Sequence, residues 1–352
     1  MPPTRGPELV PLGRAGLRVG RYGFGGAPIG GLFEAVDEDR ARDCLAQAWH
    51  DGMRYFDTAP HYGAGASERL IGSFLAGKPG AAWVLSTKVG RLLERANAPT
   101  TDNAGFAGET GVRRVFDFSR DGIRRSFDES LVRLGLDHVD ILFLHDPDDH
   151  WRQAIDEGFP ALADLRDQGL VRSIGAGMNQ SAMLTRFVRE TDVDVVLLAG
   201  RYTLLDQQAL DVLLPACIQR GTSVVLGGVF NTGVLANPDR NLTYDYGQAP
   251  PDVIERARRI ADICTRSGVD MPAAALQFPL AHRAITTVVI GARSRSEVEQ
   301  NTQYAGAPIP AQLWDDLRSE GLLRADAPVP TDRDLPDTDG LPDTDESVSA
   351  PS

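Results

Sequence analysis

Short, almost continuously apolar runs alternate along the chain with longer stretches in which apolar residues recur every three or four positions. The apolar runs lie at Tyr22–Gly25, Tyr55–Thr58, Trp83–Lys88, Val139–His145, Ser173–Gly177, Val193–Leu198, Ser223–Gly227 and Thr286–Ile290. Continuous rather than alternating apolarity suits parallel strands covered on both faces. Between them, amphipathic periodicity predicts helices near Asp39–Asp51, Ser67–Leu75, Arg120–Leu134, Phe159–Gln168, Ala182–Thr191 and Gln207–Arg220. Two more precede the last strand, at Pro251–Ser267 and Pro272–Ala281, and Ser294 caps a final one over Glu297–Gln303. Ahead of the first strand, Val10–Arg21 reads as a hairpin that turns at Gly13 to Gly16.

Eight strand–helix units in about 300 residues, with no linker-like break, predict an α/β fold closed as a (β/α)8 TIM barrel. A doubly wound sheet would carry a glycine fingerprint after the first strand. The segment Gly23-Phe-Gly-Gly-Ala-Pro28 puts proline where the third glycine belongs, so that fold is set aside. Two connections exceed what a barrel needs: Val89–Phe118, rich in Gly, Thr, Asn and Arg, and Thr232–Pro250, which carries Tyr244 and Tyr246. Long loops at a barrel mouth commonly shape a substrate pocket.

The net charge of −13 is unevenly spread. Residues 326–352 hold eight acids and one base, leaving −6 for residues 1–325. The tail repeats LPDTD at Leu335–Asp339 and Leu341–Asp345. It is too poor in apolar residues to fold alone and is expected to be disordered. The barrel is assigned to residues 1–325. A mildly acidic body offers no basic patch for nucleic acid. No run of about 18 apolar residues could cross a membrane, and Met1–Leu12 has no signal-peptide core. Cys44, Cys217 and Cys264 lack metal or disulfide spacing, so a cytoplasmic protein, monomeric or a small homo-oligomer, is expected. Cations are supplied by 34 arginines and two lysines, Lys78 and Lys88. A lysine kept inside an apolar strand implies a need for its compact amine.

Chemistry in such barrels sits where strands end. Those positions hold Asp57, Lys88, His145 and Asn179, with Tyr62 in the loop after the second strand. A tyrosine is a poor acid or base at neutral pH, and a neighbouring ammonium lowers its pKa. Asp57 can orient that ammonium, and His145 can hydrogen-bond a substrate oxygen. The set amounts to a general acid–base tyrosine that needs no metal.

The segments Asp57-Thr-Ala-Pro-His-Tyr62, Leu85-Ser-Thr-Lys88 and Leu144-His145 resemble the Asp, Tyr, Lys and His tetrad of aldo-keto reductases. The resemblance runs from about Leu12 to Gly306. The runs LSTKVGRLL, LHDPD, GAGMNQ, LLAGRYTLLDQ, GGVFNTGVLA and ALQFPLAH are similar to the branch containing aldose and pyridoxal dehydrogenases. It implies a nicotinamide cofactor across the barrel mouth. Asn179 would take the carboxamide, while Gly228, Phe230, Asn231 and Thr232 would line the pyrophosphate. Gly291, Ala292 and Arg293, with Gln300 and Asn301, would hold the adenosine end. The sequence departs from the family at Ala199, where glutamine is common, and near Gly227, where an aromatic residue usually stacks on nicotinamide. Glu297 would repel a 2′-phosphate, although Arg293 and Arg295 carry charge nearby, so NAD is expected over NADP. The implied reaction oxidises an aldose of the L-fucose, L-galactose or D-arabinose type at C1 to its lactone. Pyridoxal oxidation and general aldehyde or ketone reduction are the alternatives. Phe33, His61, Phe116, Phe118 and Asp146 are the candidates for substrate contact.

Three other readings compete. A nucleotide-sensing module like a channel β subunit would share the tetrad, but nothing in the chain resembles a docking extension. A Schiff-base aldolase would need Lys88 unpaired, against Asp57 nearby. A metal hydrolase built on His145, Asp146, Asp148 and His150 lacks a matching ligand at another strand end.

Overall fold

The computed structural model describes residues 9–100, 105–107 and 110–330. Eight parallel strands close into a barrel: β1 (Tyr22–Gly25), β2 (Tyr55–Asp57), β3 (Val84–Val89), β4 (Ile141–His145), β5 (Ser173–Met178), β6 (Val195–Ala199), β7 (Ser223–Gly227) and β8 (Ile285–Gly291). Each pairs with its neighbours in sequence, and β8 closes onto β1 through Val288↔Tyr22 to Gly291↔Gly25. Around them lie α1 (Glu38–His50), α2 (Ala66–Leu75), α3 (Arg120–Leu134), α4 (Phe159–Asp167), α5 (Ser181–Glu190) and α6 (Leu213–Arg220). They are followed by α7 (Pro251–Arg266), α8 (Met271–Gln277), α9 (Arg295–Ala305) and α10 (Ala311–Ser319). This is the expected (β/α)8 barrel.

Because successive strand residues face opposite ways, the apolar runs divide into two cores. Phe56, Leu85, Leu142, Leu144 and Val196 point outward into the large layer between strands and helices. Tyr55, Val84, Ile141, Phe143, Val195, Leu197, Val225 and Val289 point inward. The hairpin Leu9–Leu12/Leu17–Gly20 adds Leu12, Leu17 and Val19 to this inner cluster and plugs the barrel floor. It is anchored by Gly13 N donating to Ser223 Oγ (2.9 Å) and by Arg14, which reaches the carbonyl of Val193 (2.9 Å).

Several elements depart from the expected bounds. The helix expected from Gln207 begins only at Leu213, after a short 3-10 turn at Gln208–Leu210. Pro215, which lacks an N–H, is thereby kept in the first turn. Pro279 likewise converts the end of the expected Pro272–Ala281 helix into a 3-10 turn, Phe278–Ala281. The long Val89–Phe118 connection contains an antiparallel ribbon, Arg91–Thr100 with Thr110–Phe116. The packed chain also continues past 325. Ala327 is buried and its carbonyl accepts from Arg318 (2.7 Å), so apolar residues carry 326–330 onto the barrel. Both LPDTD repeats lie outside the described residues. Among the described residues no helix is long and apolar enough to cross a membrane.

The unexpected helix α10 buries Leu313, Trp314 and Leu317, with the Trp314 ring 6.3 Å from Phe278. Replacing Trp314 with alanine empties a buried indole site and should cost about 3–5 kcal/mol in urea unfolding. A loss below about 1 kcal/mol would show that α10 is dispensable to the core.

Candidate active site

The inward parity that puts apolar side chains in the barrel puts polar ones at its top. Following Tyr55, Val84 and Ile141–Phe143 along the same face leads to Asp57, to Ser86 and Lys88, and to His145. Register aligns these ends, with Asp57 beside Ser86, Lys88 beside Phe143 and His145 beside Gly177. Tyr62 comes from the loop after β2. Its loop turns sharply at Gly63 (φ 61°), where a Cβ would lie 2.2 Å from the carbonyl oxygen of Gly30. Glycine there lets the Tyr62 backbone press against the β1–α1 loop.

The four groups converge. Lys88 Nζ donates to Asp57 Oδ2 (2.7 Å), the Thr58 carbonyl (2.9 Å) and the Tyr62 hydroxyl (3.1 Å), which uses all three ammonium protons. Asp57 is held on its other oxygen by Ser86 Oγ (2.7 Å). Since Ser86 spends its proton there, the buried Tyr55 hydroxyl must donate to Ser86 (2.9 Å). The His145 ring lies edge-on to Tyr62, centroids 5.9 Å apart.

The electrostatics differ in one respect from the expectation. Burial pushes the Tyr62 phenol above its ordinary value, the Asp57 and Asp146 carboxylates add to this, and Arg91 opposes it. Burial and the two carboxylates thus outweigh the cations nearby, and the phenol is not brought down. Burial likewise drives His145 well below the usual imidazole range, helped by Arg91 and Lys88. His145 is therefore neutral near pH 7, a hydrogen-bonding group rather than a proton donor of the imidazolium kind. Its Nδ1, like that of His61, is buried without a hydrogen-bond partner among the described residues.

The other substrate candidates separate. His61 belongs to the cluster, 5.7 Å from His145 ring to ring. Asp146 is ion-paired to Arg91 and lies 3.7 Å from His145 Nε2. Phe33 is exposed on the rim and meets Tyr246 (6.3 Å) from the long loop after β7. Phe116 is also exposed and pairs with His150 (4.8 Å). Phe118 is fully buried, packed over Gly90. Two residues absent from the candidate set complete the site. Phe106 stacks on Tyr62 (5.9 Å, 27°) and meets His61 edge-on (5.2 Å). It is carried there because Leu32 bridges to it and Ala107 N donates to the Gly31 carbonyl (2.8 Å). Arg91 is the other, three residues beyond Lys88 within the LSTKVGRLL run; that run was the available signal for it.

On the β5–β8 side, Asn179 follows β5 directly and is partly exposed. Gly228 (φ 64°) stands where a Cβ would come within 3.1 Å of Gly200 N, so backbone rather than side chains lines this rim. Left-handed backbone continues at Asn231, Thr232 and Gly233. Phe230 is partly buried beside them. Such turns present amides suited to phosphate oxygens. Asn231 contributes backbone only: its side chain donates to the Gly200 carbonyl (3.0 Å) and accepts from Thr203 (2.6 Å). After β8, Ala292 and Asn301 are buried, while Gly291 and Gln300 reach the surface. Arg293 is shared by two carboxylates, Glu34 (3.1 Å) and Glu297 (3.0 Å). This rim thus offers backbone turns at Gly228 and Asn231–Gly233 and the Arg293 guanidinium beyond β8. Among the described residues no group of three or more His, Cys, Asp and Glu could hold a metal ion.

The profile of the Aldo/keto reductase family matches residues 21–320. A D-threo-aldose 1-dehydrogenase from a Pseudomonas species is 46% identical over 317 residues, covering 88% of this chain and 96% of the relative. A pyridoxal 4-dehydrogenase from Microbacterium luteolum is 42% identical over 336 residues, covering 90% and 98%. Among solved structures, an aldo-keto reductase from Bacillus halodurans superposes with a TM-score of 0.71 at 25% identity, covering 93% of this chain and 99% of that one.

The ion pair makes a stability prediction. Lys88→Met leaves Asp57 buried and uncompensated and should cost about 3–5 kcal/mol in urea unfolding. Lys88→Met combined with Asp57→Leu removes both charges and should recover most of that loss. Additive losses would show that the two side chains are not energetically coupled.

Proposed function

The chain belongs to the aldo/keto reductase family of nicotinamide-dependent oxidoreductases, and we propose that it oxidises an aldose at C1 to the lactone. The observation that carries this reading is the Lys88 Nζ to Tyr62 OH contact (3.1 Å) beside the buried Asp57 and His145. In this reading Tyr62 is the general base that takes the proton of the anomeric hydroxyl. Neutral His145 hydrogen-bonds the same oxygen and fixes its direction. Lys88 and Asp57 position the phenol and balance charge around it. A bound nicotinamide cofactor would supply the hydride acceptor for C1; Asn179 would hold its carboxamide and the Gly228–Thr232 turn its pyrophosphate. The names of two relatives, an aldose dehydrogenase and a pyridoxal dehydrogenase, support an oxidised hydroxyl as substrate.

NAD is the cofactor this rim favours. Bidentate arginine is what a 2′-phosphate requires, and Arg293 is already divided between Glu34 and Glu297. Glu297 is better matched to a ribose diol. A second substrate reading, a flat aromatic alcohol such as pyridoxal, is favoured by the aromatic lining that Phe106 adds beside Tyr62.

The test is the rate of reduced-cofactor formation with L-fucose, D-arabinose, L-galactose and pyridoxal, with NAD and with NADP. Sugar-dependent turnover with NAD ahead of NADP is expected, and Tyr62→Phe should lower kcat by about 10²–10⁴-fold. With the phenol raised, the basic form is scarce at neutral pH. Oxidation should therefore accelerate as pH rises from about 7 to 9. Silence with every sugar, or a rate that peaks below neutrality, would overturn the assignment.

A further inference from the structure

We propose that Arg91 and Asp146 form a second polar wall of the chamber and select polyhydroxylated substrates by binding the hydroxyl groups next to the reacting carbon. The proposal rests on the dehydrogenase reading above and names what that site recognises.

Both side chains are aimed by unusual backbone. Arg91 follows Gly90 (φ 95°), where any Cβ would come within 2.1 Å of the Phe118 ring. That glycine lets the chain turn off the end of β3, so the first ribbon residue stays near the barrel mouth. Asp146 directly follows His145 and has φ 44°, a left-handed conformation that non-glycine residues adopt only when their surroundings hold them. Its N–H donates to the Gly177 carbonyl (3.0 Å), which ties the turn to β5. The result returns the carboxylate to 3.7 Å from His145 Nε2 and into direct contact with the Arg91 guanidinium.

This is not a surface ion pair. The Arg91 and Asp146 side chains are 15% and 29% exposed. The guanidinium lies 4.8 Å over the Phe116 ring. Charges taken this far from water are costly unless their remaining hydrogen-bonding positions are satisfied. Arg91 Nε is buried with no partner among the described residues, as are Nδ1 of His61 and Nδ1 of His145. Three buried polar atoms without a partner thus belong to residues grouped around Tyr62.

The chemistry of the pair narrows the ligand. Asp146 cancels the charge of Arg91, so the pair itself adds no net charge to attract an anionic substrate. A simple alkyl alcohol or aldehyde would leave donors and acceptor unmatched. A neutral polyol offers both at once, with one hydroxyl donating to the carboxylate and its neighbour accepting from the guanidinium. A site built to hydrogen-bond a hydroxyl can reject an analogue lacking it by about 10⁴–10⁵-fold. The pair would therefore separate aldoses from the simple carbonyl compounds that the Tyr62 cluster alone could process.

The experiment compares wild type, Arg91→Lys and the double variant Arg91→Leu/Asp146→Leu. The double variant replaces the pair by apolar side chains and so avoids a stranded charge. For each protein the readout is the ratio of kcat/KM for aldose oxidation to kcat/KM for alkyl aldehyde reduction. The ratio should fall by at least about 100-fold in the double variant and by about tenfold in Arg91→Lys, which keeps the charge but loses the fork. Wild type should also discriminate against the 2-deoxy sugar, and the double variant should not. Wild-type oxidation of aldoses with an unchanged ratio in the variants would overturn the proposal alone. Wild-type reduction of the aldehyde with no oxidation of any aldose would overturn the dehydrogenase reading and this proposal with it.

Discussion

A single buried ammonium constrains the top of this barrel. Lys88 is 1% exposed, and burying its charge costs several kcal/mol unless every proton finds an acceptor. Three acceptors are provided, from Asp57, Thr58 and Tyr62. Each then needs its own support. Asp57 is braced by Ser86 and through it by Tyr55. Thr58 donates its hydroxyl proton to Ser67 (2.8 Å) at the start of α2. Tyr62 is wedged between the β1–α1 loop and Phe106. In a chain with 34 arginines, a planar guanidinium would not fit three acceptors grouped around a point, which accounts for lysine here.

The same burial organises the surroundings. Both histidines are driven neutral, so the positive charge around Tyr62 resides on Lys88, Arg91 and Arg114, the first two each paired with one carboxylate. Burial keeps the Tyr62 proton in place at neutral pH. The proposed reaction asks one phenol to give or take one proton while its neighbours stay fixed. Buried charge pairs next to neutral imidazoles provide such a setting without large reorganisation.

How much of this could be read from sequence follows from which contacts are local. Strand parity alone predicts that Asp57, Lys88 and His145 share a face, because period 2 and the parallel register carry strand ends to one level. Tyr62 was legible from its place in the loop after β2 and from the resemblance of the segment Asp57–Tyr62 to the aldo-keto reductase motif. The rim was not. Phe106 reaches Tyr62 only because residues 105–107 lie against residues 31–33, a tertiary pairing with no periodic trace. Arg91 and Asp146 are 55 residues apart and meet through two strained turns. Phe118 looked like a pocket residue by position, yet the missing side chain at Gly90 draws it into the core. The Asn231 side chain, for its part, joins the loops after β6 and β7, a long-range contact that sequence alone does not show. Helix α10 escaped because its buried face is three residues wide.

Lys88 is assigned a role exercised through Tyr62 rather than on substrate directly. The most direct test is a double-mutant cycle on kcat/KM with Tyr62→Phe, Lys88→Met and the two combined. If the lysine works through the phenol, the double variant will be about as slow as Tyr62→Phe alone, the non-additivity expected of residues acting as a unit. Losses that multiply would contradict this, since they would mean that Lys88 contributes to the reaction independently of Tyr62.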